Sequence, residues 1–280
     1  MPTLLSIGHG YSAQALAPSL IRQGWTVIGT TRSAAKFGIL ERQGVKPIKW
    51  PGTHLPLAAA THLLTSVGPG DDGDPVVHHA RDALMAAKHL EWVGYLSTTG
   101  VYGDANGGWV DEETPLTAST KRGKARVLAE QAWSELGLPV HFFRLAGIYG
   151  PGRGPFSKVR GGTARRIIKK GQVFSRIHVD DIAATLLASI QTPNPGTAYN
   201  VCDDEPAPPE DVIAHAAELL GLPLPPAVAF EDAELSPMAK SFYSESKRVR
   251  NERIKSELGV RLKYPDYRAG LSALLKAERR

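Results

Sequence analysis

Short apolar runs alternate with amphipathic segments along the first half of the chain. The apolar runs have the length of buried strands, and the segments between them repeat apolar residues at helical spacing. The predicted strands are Thr3–Ile7, Thr26–Thr31, Thr61–Val67, Val93–Thr98 and Val140–Leu145. The predicted helices are Ser12–Gln23, Ala34–Gln43, Pro75–His89 and Lys121–Leu136. Strands that are apolar almost throughout and alternate with helices indicate a parallel sheet covered on both faces. We therefore predict an α/β fold with a doubly wound, Rossmann-type parallel sheet.

The pattern becomes less regular after Leu145. The glycine- and proline-rich segment 150–155 predicts a loop. The later predicted elements are a helix beginning in the basic segment Gly161–Gly171, a strand at Ile177–Val179, a helix from Asp180 or Asp181 through Ala188, a strand at Thr197–Val201, a helix at Pro209–Leu220, and amphipathic segments at Ser246–Leu258 and Asp266–Ala277. We assign residues 1–150 and 176–202 to a dinucleotide-binding domain. Residues 151–175 and 203–280 form a smaller, partly helical substrate-binding unit in this interpretation.

Composition and charge exclude several classes of protein. The 280 residues are 42% hydrophobic and 22% charged, which is ordinary globular usage and unlike a disordered chain. The net charge of +5 is spread along the chain without a nucleic-acid-binding signature, so we expect no nucleic-acid partner. No apolar run is long enough to cross a bilayer, and the N-terminus lacks the charged region of a signal peptide. The single cysteine, Cys202, is typical of a protein in a reducing compartment. We expect a cytoplasmic protein without a membrane partner.

A glycine-rich segment lies between the first predicted strand and the first predicted helix. Residues 8–13 fit the pattern G-x-G-x-x-A, in which the first glycine permits a tight turn and the second lets the backbone approach a pyrophosphate. The helix that follows offers free N–H groups to the anion. The predicted cofactor-binding residues of this segment are Gly8, Gly10, Tyr11, Ser12 and Ala13. The alternative is a tight turn without a ligand.

The end of the second strand favours NADP over NAD. A site for NAD usually carries a carboxylate there, whereas this chain has Thr31, Arg32 and Ser33. The arginine fork suits a 2′-phosphate and the two hydroxyls can add hydrogen bonds. The alternative is a solvated arginine in front of a helix. Further predicted cofactor contacts lie at the ends of the third and fourth strands, namely Ser66, Val67 and Thr98.

Four stretches of the chain resemble the extended short-chain dehydrogenase/reductases, also called the NAD-dependent epimerase/dehydratase family. They are residues 8–13, 96–103, 144–151 and 176–183, and the resemblance covers most of residues 1–202. The chain from 247 to 268 resembles an atypical branch of that family. The resemblance implies a cofactor domain followed by a smaller substrate domain. It also implies a substrate with a hydroxyl or carbonyl group, such as a sugar or a nucleotide sugar.

The catalytic residues of that family are only partly present. Family members use a Tyr-x-x-x-Lys pair and a Ser or Thr, and the resemblance assigns the hydroxyl to Thr98. Counting back from Glu130 places Arg126 at the lysine position and Arg122 at the tyrosine position. The one Tyr-x-x-x-Lys in the sequence, Tyr243–Lys247, lies in the C-terminal unit, and we expect it to be a chance match.

Arg122 and Arg126 are four residues apart and share one helix face, which we expect to line the cleft. Arginine stays protonated, so these side chains can hold an anionic group or the cofactor ribose but cannot transfer a proton. The alternative is a solvated basic stripe. A proton donor must then come from elsewhere, and the candidates are Tyr102, Tyr149, His141 and His178.

The sequence supports two functions from different classes. The first is an NADP-dependent reductase, epimerase or dehydratase that acts without the usual tyrosine on a small molecule, either anionic or neutral. The second is a non-catalytic sensor that binds NADP(H); a scaffold without cofactor is a third, weaker alternative. No spacing of His, Cys, Asp or Glu predicts a metal site. We expect a monomer or a homodimer.

Overall fold

The computed structural model describes residues 1–279. Its strands are β1 (Thr3–Ile7), β2 (Thr26–Thr31), β3 (Lys46–Lys49), β4 (His62–Thr65), β5 (Trp92–Thr98), β6 (Trp109–Val110), β7 (Val140–Leu145), β8 (Gly147–Tyr149), β9 (Arg166–Ile168), β10 (Arg176–His178), β11 (Ala198–Val201), β12 (Ala227–Ala229) and β13 (Arg248–Val249). Its α-helices are α1 (Tyr11–Arg22), α2 (Phe37–Arg42), α3 (Pro75–Ala86), α4 (Lys121–Ser134), α5 (Phe156–Arg160), α6 (Val179–Gln191), α7 (Pro209–Leu220), α8 (Pro237–Tyr243), α9 (Glu252–Ser256) and α10 (Tyr267–Glu278).

Seven parallel strands form the central sheet in the order β11-β7-β5-β4-β1-β2-β3. From β1 the strands follow in chain order towards β3 at one edge of the sheet, and from β4 they follow in chain order towards β11 at the other edge. Ligands of such sheets bind beyond the carboxyl ends of the strands where the order reverses. The predicted doubly wound α/β fold is therefore confirmed, and it places the glycine-rich segment at this edge.

Apolar side chains cover both faces of the sheet. On one face, Leu16 of α1 and Ile182 of α6 belong to one buried cluster. On the other face, Leu84 of α3 and Trp133 of α4 belong to a second cluster. These two layers bury the strands on both sides, which explains why the strands are apolar almost throughout.

A third apolar cluster joins the C-terminal helices. It contains side chains from α5, α7 and α10, together with Tyr149 at the end of β8. Three short parallel pairs, β8 with β10, β9 with β12 and β6 with β13, connect segments that are distant in sequence. The β6–β13 pair fixes the segment around Arg248 against the region that follows β5. The domain boundaries drawn from the sequence stay a prediction.

Three elements differ from the sequence-based expectations. The helix expected in Gly161–Gly171 is wrong: α5 ends at Arg160, and the chain then enters β9. Gly162 adopts a φ of +66°, a conformation that ends a helix and favours glycine. Strand β3 was not predicted because its exposed lysines hide the strand pattern. The amphipathic segment Ser246–Leu258 contains a strand followed by a helix of one turn, α9.

The helices between residues 1 and 279 include none that is long and apolar enough to span a membrane. The same residues contain no group of three or more His, Cys, Asp or Glu that could hold a metal ion.

Candidate functional site

A cleft of about 810 Å³ lies at the carboxyl edge of the sheet, and the C-terminal unit forms its opposite wall. Residues from the glycine-rich segment, from the ends of β4 and β5 and from α4 line the sheet side. Those among them that the sequence predicted as functional are Tyr11, Ser12, Ser66, Thr98, Arg122 and Arg126. The structure therefore brings these six residues to one cavity. The other predicted cofactor residues do not line it, namely Gly8, Gly10, Ala13, Thr31, Arg32, Ser33 and Val67.

The glycine turn has the geometry that a dinucleotide loop requires. Gly8 adopts a φ of +72°, and a Cβ there would lie 2.9 Å from Cγ2 of Val67. A Cβ on Gly10 would meet only the Gly8 carbonyl oxygen, at 3.6 Å, and its φ of −100° suits any residue. Packing thus explains glycine at position 8 but not at position 10. The open space beside Gly10 would allow a ligand to approach the backbone closely.

The first turn of α1 can bind an anion. Its N-cap is Gly10, which has no side chain to cap the helix, so no cap side chain accepts from the N–H groups of the first turn. The small Ala13 is fully buried, which lets the helix lie close to the sheet. The Gly8 N–H donates to the Thr30 hydroxyl over 2.8 Å, and the Ser66 hydroxyl donates to the Gly8 carbonyl. The residues present fit a dinucleotide pyrophosphate.

The end of β2 carries the predicted phosphate contacts. Arg32 and Ser33 are exposed and Thr31 is partly exposed. No carboxylate in the described chain pairs with Arg32, so its guanidinium is available to an anionic ligand. The Thr31 hydroxyl accepts a hydrogen bond from the Ser33 N–H over 3.3 Å, which orders this turn.

Arg126 is held by the protein at the floor of the cleft. Its Nη1 donates to the Leu96 carbonyl over 2.7 Å and to the Tyr95 hydroxyl over 3.0 Å. The guanidinium also lies 5.5 Å from the centre of the Tyr95 ring. The side chain is therefore not part of a solvated stripe. It fixes the end of β5, and fewer of its donors remain for an anionic substrate than the sequence suggested.

Arg122 lies one helical turn earlier, at the mouth of the cleft. It is exposed, and its guanidinium lies 5.4 Å from the centre of the Phe242 ring of α8. This contact connects the tyrosine position of the family pattern to the C-terminal unit. Thr98, at the end of β5, accepts a hydrogen bond from the Gly100 N–H over 3.2 Å and lines the same cavity.

Glu130, from which the positions of Arg122 and Arg126 were counted, is tied to the central sheet. Its carboxylate receives a hydrogen bond of 2.5 Å from Ser97 and forms an ion pair of 2.9 Å with Arg144. All three side chains are buried. The network ties α4 to β5 and β7, so Arg122 and Arg126 are held in a fixed position relative to Thr98.

The four proton-donor candidates from the sequence fall in different places. Tyr102 is buried outside the cleft lining and donates to Asn200 over 2.7 Å; burial raises its pKa to about 12. His141 is buried between backbone groups, and His178 caps α6. Burial lowers the pKa of both histidines. Only Tyr149 of the four lines the cleft, and burial raises its pKa strongly.

Sequence reasoning missed the C-terminal wall of the cleft. Tyr243 and Lys247 both line the cavity although they lie in the C-terminal unit. That their spacing is a chance match stays a prediction. The Lys247 ammonium lies 2.7 Å from the Glu245 carboxylate, and both side chains are about nine-tenths buried. Ser119 donates to the same carboxylate over 2.8 Å. The Tyr-x-x-x-Lys spacing was the one available signal, but the two residues do not share a helix.

Comparison with known proteins agrees with this geometry. The family model described as NAD dependent epimerase/dehydratase family matches residues 7–202. Protein YeeZ of Escherichia coli is 30% identical over 285 residues, which cover 95% of this chain and 97% of that protein. A conserved protein of Silicibacter pomeroyi is 59% identical, with a TM-score of 0.96 and full coverage of both chains.

A structure with an assigned activity shares the fold at lower identity. The UDP-glucuronic acid 4-epimerase of Bacillus cereus, solved with UDP-glucuronic acid and NAD, has a TM-score of 0.79 at 17% identity and covers 99% of both chains. This likeness concerns the fold alone. The family match, the extent of the YeeZ match and the glycine turn agree, and the chain belongs to the NAD-dependent epimerase/dehydratase family.

Proposed function

We propose that this protein is an NADP-dependent oxidoreductase of the reductase, epimerase or dehydratase type, acting on a hydroxyl or carbonyl group of a small molecule. The observation that carries the proposal is the glycine turn, since Tyr11 and Ser12, which directly follow it, line the same cavity as Thr98. Gly10, where packing does not require glycine, supports close approach of a pyrophosphate. Sugars and nucleotide sugars are the first substrates to examine, because the similar epimerase was solved with such a ligand.

The preference for NADP rests on the end of β2. Arg32 is exposed and has no carboxylate partner in the described chain, and Thr31 and Ser33 are beside it. A guanidinium can receive a phosphate through two parallel hydrogen bonds. Residues 31–33 include no carboxylate to accept the 2′-hydroxyl of NAD.

The chain's own residues divide the chemistry between positioning and proton transfer. A bound nicotinamide would supply or accept the hydride. The Thr98 hydroxyl would orient the substrate oxygen, while Arg126 keeps the end of β5 in place. Arg122 is always protonated and cannot give up a proton. The proton must come from another group of the cleft wall. The titratable side chains other than arginine that line the cavity are Tyr11, Tyr149, Tyr243, Glu245 and Lys247.

A substrate screen with matched variants tests the proposal. NADPH oxidation is followed with aldehydes, ketones and nucleotide sugars for the wild type, Thr98→Val and Thr99→Val. Both threonines line the cavity and each change removes one hydroxyl. We expect turnover by the wild type, with kcat reduced about a hundredfold by Thr98→Val, little changed by Thr99→Val, and NADPH affinity kept in both.

The same screen distinguishes the sensor alternative. The arginine at the tyrosine position, placed against Phe242 rather than against a reacting group, is the observation that favours a sensor. A sensor binds NADPH but shows neither oxidation nor exchange of hydride with any substrate. That outcome, with tight NADPH binding, would contradict the enzymatic proposal and support the sensor.

A further inference from the structure

A side cavity of about 160 Å³ adjoins the main cleft on the C-terminal side. Pro155, Val212, Tyr267 and Leu271 form most of its apolar and aromatic lining. An apolar cavity of about 150 Å³ can accommodate a benzene ring. The side cavity is thus large enough for a small ring or a short branched chain.

The side cavity and the main cleft share part of their walls. The residues that line both are Ile148, Tyr149, Arg153 and Arg176. Two of these four are arginines, so the junction between the cavities is positively charged. No other charged residue lines the side cavity.

Arg176 is a partly buried cation without an ion-pair partner among residues 1–279. Its Nη1 donates to the carbonyl oxygens of Phe174 and Ala207, over 2.8 and 3.0 Å. Among residues 1–279, no carboxylate oxygen lies within 4 Å of its guanidinium nitrogens. Burial lowers the pKa of Arg176, because the charged form loses hydration. A partly desolvated charge without an ion-pair partner can gain hydrogen bonds and charge compensation from an anionic ligand.

The nearest acidic group does not supply that partner. Asp203 is almost completely buried beside Arg176, and neither carboxyl oxygen has a hydrogen-bond partner. Burial raises the pKa of Asp203 to about 8, although the Arg176 charge opposes the rise. Burial thus favours the neutral form of the Asp203 carboxyl, which weakens its compensation of the Arg176 charge.

Arg153 adds a second positive charge at the junction. It is exposed, on the loop between β8 and α5, and its guanidinium lies 5.7 Å from the centre of the Tyr11 ring. No carboxylate in the part of the chain that the structure describes forms an ion pair with it. Two unpaired guanidinium groups on one wall attract an oxyanion.

We propose that Arg176, assisted by Arg153, binds the carboxylate or phosphate of a small substrate whose apolar end lies in the side cavity. This inference rests on the proposed function, because the reacting group would lie at the Thr98 end of the main cleft. It moves the anion-binding role, predicted from the sequence for Arg122 and Arg126, to the C-terminal side. The ligand class is a small aryl or alkyl carboxylate or phosphate ester.

Calorimetric titration with three probes tests the proposal. The probes are 3-phenylpropionate, phenyl phosphate and the neutral 3-phenylpropanamide, each added to the protein with and without NADPH. We expect one or both anions to bind at least about tenfold more tightly than the amide. A hydrogen bond to a charged group contributes enough free energy for such a difference in affinity. Tighter 3-phenylpropionate identifies a carboxylate substrate and tighter phenyl phosphate a phosphate ester. Equal affinity for the amide and both anions, or no binding of either anion, would overturn the proposal.

Variants of the arginine assign the effect to its position. Arg176→Met should weaken binding of the anions at least about tenfold without changing binding of the amide. The affinity of Arg176→Lys for the anions should lie between those of Arg176→Met and the wild type. Arg166→Met is the matched control, because Arg166 is a partly buried arginine that donates to the Pro225 carbonyl and lines neither cavity. Equal losses in Arg176→Met and Arg166→Met would refute the site.

A separate NADPH titration distinguishes the two proposals. If the wild type binds NADPH while the three probes bind equally, the anion site is wrong and the proposed function stands. If neither NADPH nor NADH binds but the anions bind through Arg176, the proposed function fails and the anion site stands. If an Arg176 variant fails to fold, the comparison of the anions with the amide in the wild type still tests the anion site.

Discussion

Replacing Asp203 with asparagine should remove a pH dependence of the stability of the protein. The native carboxyl is buried with a pKa of about 8, raised by desolvation, whereas a carboxyl in the unfolded chain ionises near 3.8. Between these two values the native state holds a proton that the unfolded state has released. The free energy of unfolding must then decrease as the pH rises through this window.

The magnitude follows from the two pKa values. One bound proton is worth about 1.36 kcal/mol per pH unit. Between pH 6.5 and 8.0, ionisation of Asp203 should lower the free energy of unfolding of the wild type by about 1.6 kcal/mol. This figure allows for partial ionisation of the native carboxyl near pH 8. The side-chain amide of the D203N variant cannot ionise, so this variant should lack the loss. Buried histidines such as His9, whose pKa burial lowers to about 4, are common to both proteins and cancel in the comparison.

Urea unfolding at pH 6.5 and 8.0 measures the difference directly. The wild type should lose about 1.6 kcal/mol more than D203N between the two pH values. Asp204→Asn is the matched control, because Asp204 is exposed and forms an ion pair with Lys255 over 2.6 Å. Identical pH dependence of the wild type and D203N would refute the reasoning about the buried carboxyl.

Three further predictions concern the cofactor loop and its support. In a fluorescence titration, Arg32→Ala should weaken NADPH binding about tenfold or more and leave NADH binding almost unchanged. An equal loss of affinity for both cofactors would exclude a role of Arg32 in binding the phosphate. Gly8→Ala should abolish cofactor binding because of the φ of +72° and the contact with Val67 after β4, whereas Gly24→Ala, at a φ of +82° with open space around it, should keep it. Glu130→Ala should lower the free energy of unfolding by about 3–5 kcal/mol, since it leaves Arg144 buried without its partner; a loss below about 1 kcal/mol in denaturant titration would contradict the role of this ion pair.

The sequence predicted the parts of the site that depend on local spacing. The glycine turn, Thr98 and the helix carrying Arg122 and Arg126 lie where the pattern of strands and helices placed them, because parallel strands end at one edge. Glu130 indicated the register of that helix, and its contacts with β5 and β7 explain why the register is well defined.

The C-terminal wall of the cleft depends on contacts that spacing does not reveal. Strand β13 reaches the site by pairing with β6, so Arg248 is level with Trp109 although they are far apart in sequence. The same pairing brings Lys247 to the cavity. Arg126 donates to the Leu96 carbonyl and the Tyr95 hydroxyl of β5, contacts that no sequence pattern encodes. The sequence likewise could not reveal that Arg176 lacks an ion-pair partner, because this depends on its neighbours in the folded chain.

The most direct test of the central claim is a fluorescence titration of the purified protein with NADPH and, in parallel, with NADH. We expect micromolar binding of NADPH, with NADH at least about tenfold weaker. Tighter binding of NADH would contradict the role of Arg32 but keep the dinucleotide site. Failure of both to bind would contradict the central claim that the glycine turn and the cleft form a nicotinamide dinucleotide site.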